Sequence, residues 1–456
     1  MAVRAKVLKI DRSHYLFSNR KLFTLIVPLI VEQFLAVLVG MADSIMVATV
    51  GEAAVSGVSL VDSVMLLLIN IFAALATGGA VVSGQYLGRK NQRKACRAAE
   101  QLVWFSAVFS VAIMGLLYLG RGFILHRVFG QIDEDVMGHA NIYFLIVSAS
   151  IPFIAVYNAG AAIFRSMGNS KISMKVSIIM NIINFCGNAT LIYGFHRGTE
   201  GVAIPTLVSR MTAAILIIAL LSNRKLPVHI RLTSHFRFHW PTVRNILHIG
   251  IPNGLENSMF QLGKIIVLSL VSTFGTYAIT ANAVSNTLSS FEVLPGNALS
   301  LAITTVIAQC VGAGDYEQAS YYTKKLLAVA YVCMFVTIGL TLLCIPFVLA
   351  AYRLSAETAA ETMKIMVFYS ACACAIWPLA FALPATLRSA GDVRFSMISS
   401  VTSMWICRII FSYIFGQFLG MGVFGVWAAM VLDWCVRTVC FVARYRSGRW
   451  KGKAVV

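Results

Sequence analysis

Long apolar stretches separated by short polar connections run through the chain from residue 22 to residue 445. A helix needs roughly 20 apolar residues to cross the hydrocarbon core of a bilayer. The chain shows none of the apolar and polar alternation typical of barrel strands, so each long stretch predicts an α-helix. The twelve predicted helices cover residues 22–48, 54–82, 101–120, 137–164, 172–195, 201–222, 246–271, 277–308, 323–350, 361–387, 393–416 and 422–445.

The composition also indicates an integral membrane protein. Hydrophobic residues make up 59% of the 456 residues and charged residues 12%, with a mean hydropathy of +0.80. Charged residues make up about a quarter of typical soluble domains, so this chain is far too apolar to be one. We therefore predict an all-α membrane protein.

Basic residues are distributed unevenly between the predicted connections. Of the 37 lysines and arginines, 28 lie in the two termini or beside connections that follow even-numbered helices. The positive-inside rule therefore places both termini in the cytoplasm, which requires an even number of spans. Topology and contact with anionic membrane lipids account for the net charge of +19, so we predict no nucleic-acid partner.

The two halves of the chain repeat each other. A shift of 224 residues aligns residues 28–95 with residues 252–319 without a gap, and it pairs glycines, a proline and a glutamate. Further on, FRSMGNSKISM at 164–174 matches LRSAGDVRFSM at 387–397 with a shift of 223. The chain is therefore predicted to contain a duplicated bundle of six helices.

Six is an even number, so both copies insert with the same orientation and their pseudo-twofold axis lies along the membrane normal. We predict an N lobe at 1–222 with helices 1–6, a cytoplasmic linker at 223–245, and a C lobe at 246–456 with helices 7–12 and a basic tail. A cleft between two such lobes suits alternating access, in which the lobes rock around a central site.

Carboxylates inside the predicted helices are candidates for function. A charge at the bilayer centre costs ~2.5–3.5 kcal/mol on insertion scales, so such groups face a bundle interior or water. Asp43 is the strongest candidate, because no basic residue lies three or four positions from it. The six carboxylates of this kind are Glu32, Asp43, Asp62, Glu256, Glu292 and Asp433.

Polar residues that could join Asp43 occur in the same lobe. Asn184 and Asn188 share one face of the fifth predicted helix, and Thr206 lies in the sixth, just after a proline. Carboxylate, amide and hydroxyl oxygens suit Na⁺ or a transferable proton, so these residues form a candidate coupling site. Alternatively, the asparagines hold helices together by hydrogen bonds alone.

Four C-lobe residues are candidates for coupling or substrate contact: Glu256, Glu292, Asp433 and Arg408. Glu256 is the counterpart of Glu32, and each follows a proline by four residues. A structural role at a kinked helix is therefore as reasonable for Glu256 as coupling.

The other C-lobe candidates also have two interpretations. Glu292 lies beside Pro295, where an irregular helix could expose backbone to a cavity, so substrate contact and a structural role are both open. Asp433 could pair with Arg408 or Arg437 and neutralise both charges, or it could carry a proton.

Several motifs resemble those of the multidrug and toxic compound extrusion (MATE) family, and together they cover nearly the whole chain. They are MADSIMVATVG, SGQYLGRKNQRKA, FRSMGNSK, NFCGNATLIYG, GVAIPT, AQCVGAGDYEQA and LRSAGD. The resemblance implies a MATE or MOP-type fold in a bacterial cytoplasmic membrane. It also implies a secondary antiporter that exports amphipathic, often cationic organic compounds in exchange for H⁺ or Na⁺.

The resemblance also implies site residues. One branch of the family has an N-lobe cation site that matches Asp43, Asn184 and Thr206, but its second acid is replaced here by Asn188. Loss of that charge should weaken a Na⁺ site. Another branch places its coupling acids in the C lobe near positions that hold Phe260 and Trp377 here, so those roles do not transfer.

A flippase for a lipid-linked precursor, from the same superfamily, is the alternative function. Its cleft should carry basic residues to meet a phosphate, and few basic residues lie inside the predicted helices of this chain. No hydrolase or ATP-binding motif occurs, so we predict no enzyme activity, no cofactor, and no metal other than possible Na⁺ at Asp43, Asn184, Asn188 and Thr206. We expect a monomer whose partners are membrane lipids and small organic, cationic substrates.

Overall fold

The structure, a computed structural model, describes residues 15–128, 130, 133–231 and 237–456. Residues 1–14 of the predicted N lobe and residues 232–236 of the predicted linker lie outside this part of the chain. Within it, all regular secondary structure is helical.

The N lobe contains six long helical elements. Helix α4 consists of two segments that meet at an angle of 45°. Helix α5 ends in a π-helical turn, Thr190–Gly194. Two short helices, Arg121–Phe123 and Ile124–Val128, follow α3. The elements are α1 (Asn19–Ala48), α2 (Glu52–Gly88), α3 (Gln92–Leu119), α4 (Glu134–Ala149 and Ile151–Ser166), α5 (Ser170–Gly194) and α6 (Glu200–Leu221).

The C lobe repeats this arrangement with more interruptions. Helix α8 has two segments, and π-helical turns lie within α10 (Pro378–Ala382) and α11 (Met404–Ile410 and Ile414–Phe418). The elements are α7 (Trp240–Ser272), α8 (Thr276–Glu292 and Leu294–Gly312), α9 (Tyr316–Ala351), α10 (Ala356–Ser389), α11 (Val393–Phe418) and α12 (Gly422–Arg446).

Each of the twelve predicted stretches coincides with one of these elements, which confirms the predicted fold class. Among the described residues, ten helices are long and apolar enough to cross a membrane, or eleven when the bent α4 counts as one span. The remaining predicted span is α7, which has 33 residues but is less apolar. Helix α7 begins at Trp240, so residues 240–245 of the predicted linker lie in its first turns.

Two pairs of repeated glycines show how the duplication shapes the fold. Gly51 and Gly275 precede α2 and α8 with φ angles of 140° and 99°, a backbone conformation that favours glycine. Gly88 and Gly312 lie where α2 and α8 cross, and a Cβ atom on either would collide with the backbone of the other helix. The two lobes therefore meet in a symmetric, close helix crossing.

Hydrogen bonds join the lobes at the end of the molecule that carries the C-terminus, here called the terminal end. Gln85 Nε2 donates to the carbonyl of Ser389 at 2.8 Å, and its counterpart Gln309 donates to the carbonyl of Ser166 at 2.7 Å. The backbone N–H of Val455 donates to Gln85 Oε1 at 3.0 Å. The C-terminal tail thus adds a further link between the lobes.

Candidate functional site

The first candidate site surrounds Asp43 in the last third of α1. Asn188 of α5 donates from Nδ2 to Asp43 Oδ1 at 2.7 Å. With its amide nitrogen facing the carboxylate, Asn184 donates to the same oxygen at 2.9 Å, and its own oxygen then accepts from Thr206 Oγ1 at 3.1 Å. The structure therefore brings together all four residues of the predicted N-lobe site. Their role in coupling stays a prediction.

Burial differs sharply between the carboxylate and its partners. Asn188 is fully buried, and Asn184 and Thr206 are 7% and 8% exposed. Asp43 is half-buried and lines a cavity of about 170 Å³ between α1, α2, α4 and α6, here called the N-lobe cavity. The amides of Asn184 and Asn188 therefore contact the buried side of the Asp43 carboxylate. The other side of the carboxylate lines the N-lobe cavity.

A second carboxylate, Asp62 of α2, lines the same cavity. Tyr143 Oη donates to Asp62 Oδ1 at 2.9 Å. Arg210 of α6 donates from Nη1 to Ser150 Oγ at 2.8 Å and interacts electrostatically with both Asp62 and Asp43. Sequence reasoning did not connect Tyr143 and Arg210 to this site. In the sequence, Arg210 is the one basic residue of the sixth predicted helix. A charge inside a span needs a partner, so this arginine was the available signal for the site.

In the C lobe, Asp433 pairs with Arg437, which is the nearer along the chain of its two predicted cationic partners. Arg437 Nε donates to Asp433 Oδ1 at 2.9 Å, one turn along α12, and Ser403 Oγ donates to the same oxygen at 2.6 Å. Asp433 is fully buried and Arg437 is 3% exposed. No ion pair within 4.0 Å joins Arg408 to a carboxylate in the described part of the chain.

Glu256 also has a cationic partner. Arg388 Nη1 lies 3.4 Å from Glu256 Oε2, and in the N lobe Arg165 Nη1 lies 3.4 Å from Glu32 Oε1. Both glutamates and both arginines belong to repeated motifs, so the same ion pair occurs once in each lobe. The contact gives the structural interpretation of Glu256 a specific partner.

Glu292 is fully buried at the end of the first segment of α8. Ser370 Oγ donates to its Oε1 at 2.7 Å, whereas Oε2 has no hydrogen-bond partner. Among the described residues, no hydrogen bond or ion pair joins Glu292 to Asp433 or to Asp43.

A second cavity, of about 320 Å³, lies between α7, α8, α11 and α12 and is here called the C-lobe cavity. Lys264 and Arg408 line it, together with Asn282 and Asn286. Lys264 Nζ and the Arg408 guanidinium carbon lie 5.0 Å and 5.3 Å from the centre of the Phe260 ring. Phe260 is therefore a shared neighbour of two cationic groups, a role that the sequence did not indicate.

The two cavities occupy equivalent places in the two lobes. Six residues that line the N-lobe cavity have counterparts, 224 positions later, that line the C-lobe cavity. The pairs are Gly40 and Lys264, Asp43 and Val267, Ser44 and Leu268, Val58 and Asn282, Asp62 and Asn286, and Val202 and Val426.

A duplicated helical bundle with charged cavities inside its two lobes is the architecture of a multi-pass membrane transporter. The model of the MatE family matches residues 28–190 and 252–414, one match in each half. The chain belongs to this family, the multidrug and toxic compound extrusion family. The two matches begin 224 residues apart, which agrees with the internal repeat.

Bacterial relatives match along almost their whole length. The chain is 26% identical over 453 residues to the uncharacterized transporter YisQ of Bacillus subtilis, which covers 95% of each protein. It is 23% identical over 443 residues to the probable multidrug resistance protein NorM of Thermotoga maritima, covering 96% of this chain and 94% of the relative. These relatives are named as transporters or resistance proteins, which does not favour the flippase alternative.

Solved structures show the same fold. An outward-facing multidrug resistance MATE family transporter of the MOP superfamily matches with a TM-score of 0.87 and 20% identity, covering 95% of this chain and 96% of that one. A MATE structure in the bent conformation matches with a TM-score of 0.86 and 20% identity, covering 96% and 97%. The predicted MATE-type fold is thereby confirmed.

Proposed function

We propose that this protein is a secondary antiporter that exports small amphipathic organic compounds, and that the Asp43 site couples export to the entry of an ion. The observation that carries this proposal is a carboxylate that lines a cavity while buried amides hold it in place. Among the described residues, no basic side chain forms an ion pair with Asp43 within 4.0 Å. A visiting cation can therefore neutralise this carboxylate.

The hydrogen bonds around Asp43 support H⁺ over Na⁺ as the coupling ion. Asn188 directs an amide nitrogen at the carboxylate, and such a donor cannot coordinate a metal ion. Asn184 can present either end of its amide to Asp43, since the nitrogen suits an ionised carboxylate and the oxygen accepts the proton of a neutral acid. Rotation of one amide thus keeps the cluster hydrogen-bonded in both protonation states.

The residues that line the N-lobe cavity support an organic cation as the second ligand of Asp43, besides the proton. Asp43 and Asp62 give it negative charge, and Val47, Val55 and Val58 give it apolar walls. A proton and an organic cation would each neutralise Asp43, so binding of one favours release of the other. That competition is the thermodynamic basis of antiport. The names of the multidrug resistance relatives also support small organic substrates.

We further propose that the protein works as a monomer in a bacterial cytoplasmic membrane, with both termini in the cytoplasm as the basic residues indicate. The hydrogen bonds of Gln85 and Gln309 at the terminal end then close the cytoplasmic side of the cleft. Opening that side requires these bonds to break while the lobes rock apart.

The test uses purified protein in proteoliposomes, with a pH gradient or a Na⁺ gradient imposed separately and ethidium as the cationic dye. We expect the pH gradient to drive dye transport and Asp43→Asn to reduce it to the leak of empty liposomes. The matched control is Asp135→Asn, whose side chain is 82% exposed, and it should transport like the wild type.

Two outcomes would contradict parts of this proposal. Undiminished pH-driven transport by Asp43→Asn would remove the N-lobe site from the mechanism. Transport that responds to the Na⁺ gradient and not to the pH gradient would replace H⁺ by Na⁺ as the coupling ion.

A further inference from the structure

The C-lobe cavity has a charge opposite to that of the N-lobe cavity. Lys264 and Arg408 line it, and no acidic residue does so among the described residues. In the part of the chain that the structure describes, no carboxylate lies within 4.0 Å of either cationic group. Helices α7, α8, α11 and α12, all of them predicted spans, form the walls; Arg408 is buried among them, and Lys264 is exposed. Two positive charges in such a place need an anion.

The Arg408 side chain supplies a second, independent observation. Its side chain is 8% exposed, and its Nε atom is buried without a hydrogen-bond partner. Buried guanidinium groups are normally paired or fully hydrogen-bonded, because leaving a charged donor unsatisfied is costly. The unpartnered donor belongs to a side chain that lines the cavity, so an anion bound there could accept from it.

Neighbouring groups do not balance these charges. Asp433 attracts Arg408 electrostatically, but its ion pair is with Arg437, at 2.9 Å. The ring of Phe260 lies about equally far from Lys264, Arg408 and Arg437, at 5.0, 5.3 and 5.5 Å. One ring cannot neutralise three cations, since an aromatic ring carries no net negative charge.

The rest of the cavity has the character of a binding site for an amphipathic molecule. Trp427 Nε1 donates to Asn282 Oδ1 at 3.0 Å, which leaves the Asn282 amide nitrogen as a further donor. Val267, Leu268 and Met430 add apolar surface. A cavity of about 320 Å³ accommodates a small organic group.

We propose that the C-lobe cavity binds the acidic group of an amphipathic organic anion, with Lys264 and Arg408 as its ligands. The inference rests on the proposed function and extends its substrates to compounds that carry a carboxylate, sulfonate or phosphate. A molecule with both an acidic and a cationic group could contact both lobes.

The test measures binding of a fluorescent amphipathic carboxylate, 6-(NBD-amino)hexanoate, and of its neutral methyl ester. The protein is placed in phosphatidylcholine nanodiscs, and Kd is obtained from fluorescence anisotropy. We expect the wild type to bind the carboxylate at least about tenfold more tightly than the ester, as one charge-assisted contact provides.

Substitutions then locate the site. Lys264→Met should weaken carboxylate binding by about tenfold and leave ester binding unchanged, whereas Lys264→Arg should retain most of it. Arg408→Lys keeps a cation in the buried position and should weaken binding less than Lys264→Met. The control is Lys364→Met, which removes a lysine whose side chain is 57% exposed outside the cavity.

Two further arms separate this inference from its alternatives. Asp43→Asn should bind the carboxylate like the wild type, because Asp43 lies in the other lobe, even if the coupling proposal fails. Phosphatidylglycerol in the nanodiscs should leave binding unchanged if the ligand is a free organic anion, and loss of binding there would assign the cavity to a lipid headgroup instead. Equal affinity of the wild type for acid and ester, or wild-type affinity in Lys264→Met, would overturn the proposal.

Discussion

In the N lobe, Asp43 and Asp62 line a cavity of about 170 Å³. Their counterparts in the C lobe are uncharged, and the cavity of about 320 Å³ there is lined by Lys264 and Arg408. The two cavities share six equivalent positions, so duplication accounts for their place in the fold. Their charges nevertheless differ in sign.

The contrast extends to the polar residues behind each cavity. Asn184 and Asn188 hold Asp43 in the N lobe, whereas the corresponding stretch of α11, residues 407–412, contains no asparagine or glutamine. Helix α11 therefore lacks the amides that α5 presents to Asp43. We therefore propose that the N lobe couples transport to protons and that the C lobe binds an organic anion.

The largest expected effect comes from exchanging charge between the lobes. Asp43→Val should reduce pH-driven ethidium transport to background, and adding Val267→Asp should not restore it, because α11 has no amides that match those of Asn184 and Asn188 on α5. Transport assays in proteoliposomes compare both variants with the wild type. Recovery in the double variant would show that the cavity shape alone suffices for coupling.

A cation placed in the N-lobe cavity should have the next largest effect. Gly40 is the counterpart of Lys264, and no atom lies within 4 Å of a Cβ atom built there. Gly40→Lys should lower ethidium transport by about tenfold, since the new ammonium lies one turn from Asp43 and competes with cations. Gly40→Met, which has similar length and no charge, should retain most activity. An equal loss in both variants would attribute the effect to bulk.

Placing a second acid beside Asp43 should allow Na⁺ to act as the coupling ion. Asn188→Asp replaces the amide donor by oxygens, which Na⁺ prefers, so a Na⁺ gradient should stimulate transport severalfold while the wild type stays insensitive. Asn181→Asp, on the same helix and without a contact to Asp43, is the control. The assay is ethidium transport at constant pH, and no Na⁺ response in Asn188→Asp would speak against an ion site here.

The smallest effect concerns another difference between the lobes. Asp392 is the counterpart of Asn169, and its carboxylate accepts from Arg444 Nε at 2.7 Å and from Lys453 Nζ at 2.6 Å. Burial alone would raise the pKa of Asp392, but the hydrogen bonds and charges of these two partners outweigh it and hold the pKa below its ordinary value of 3.8.

A depressed pKa means that the carboxylate stabilises the fold above its ordinary pKa and loses this effect as pH falls through the folded value. Asp392→Asn should therefore lower the free energy of unfolding by about 1–2 kcal/mol at pH 7. Thermal unfolding measured from pH 7 downward should show the difference from the wild type shrinking below about pH 4. A constant difference across this range would assign the loss to packing, and Asn169→Ala provides the uncharged comparison.

Several features of the site are visible in the amino-acid sequence alone. Asp43 stands out as a carboxylate in an apolar helix, and Asn184 and Asn188 share a face of α5. The Arg165 and Arg388 motifs are also visible as repeats, but nothing in the sequence indicates that these arginines reach Glu32 and Glu256. Contacts between distant helices depend on crossing angles and rotations that one sequence does not specify.

The sequence by itself determined the twelve helices, the duplication and the MATE-type fold, because hydropathy and an internal repeat are properties of local residue order. Only the tertiary structure decided that Lys264 of α7 and Arg408 of α11 line one cavity and that it is equivalent to the cavity of Asp43. These residues are far apart along the chain, and helix packing alone brings their side chains together.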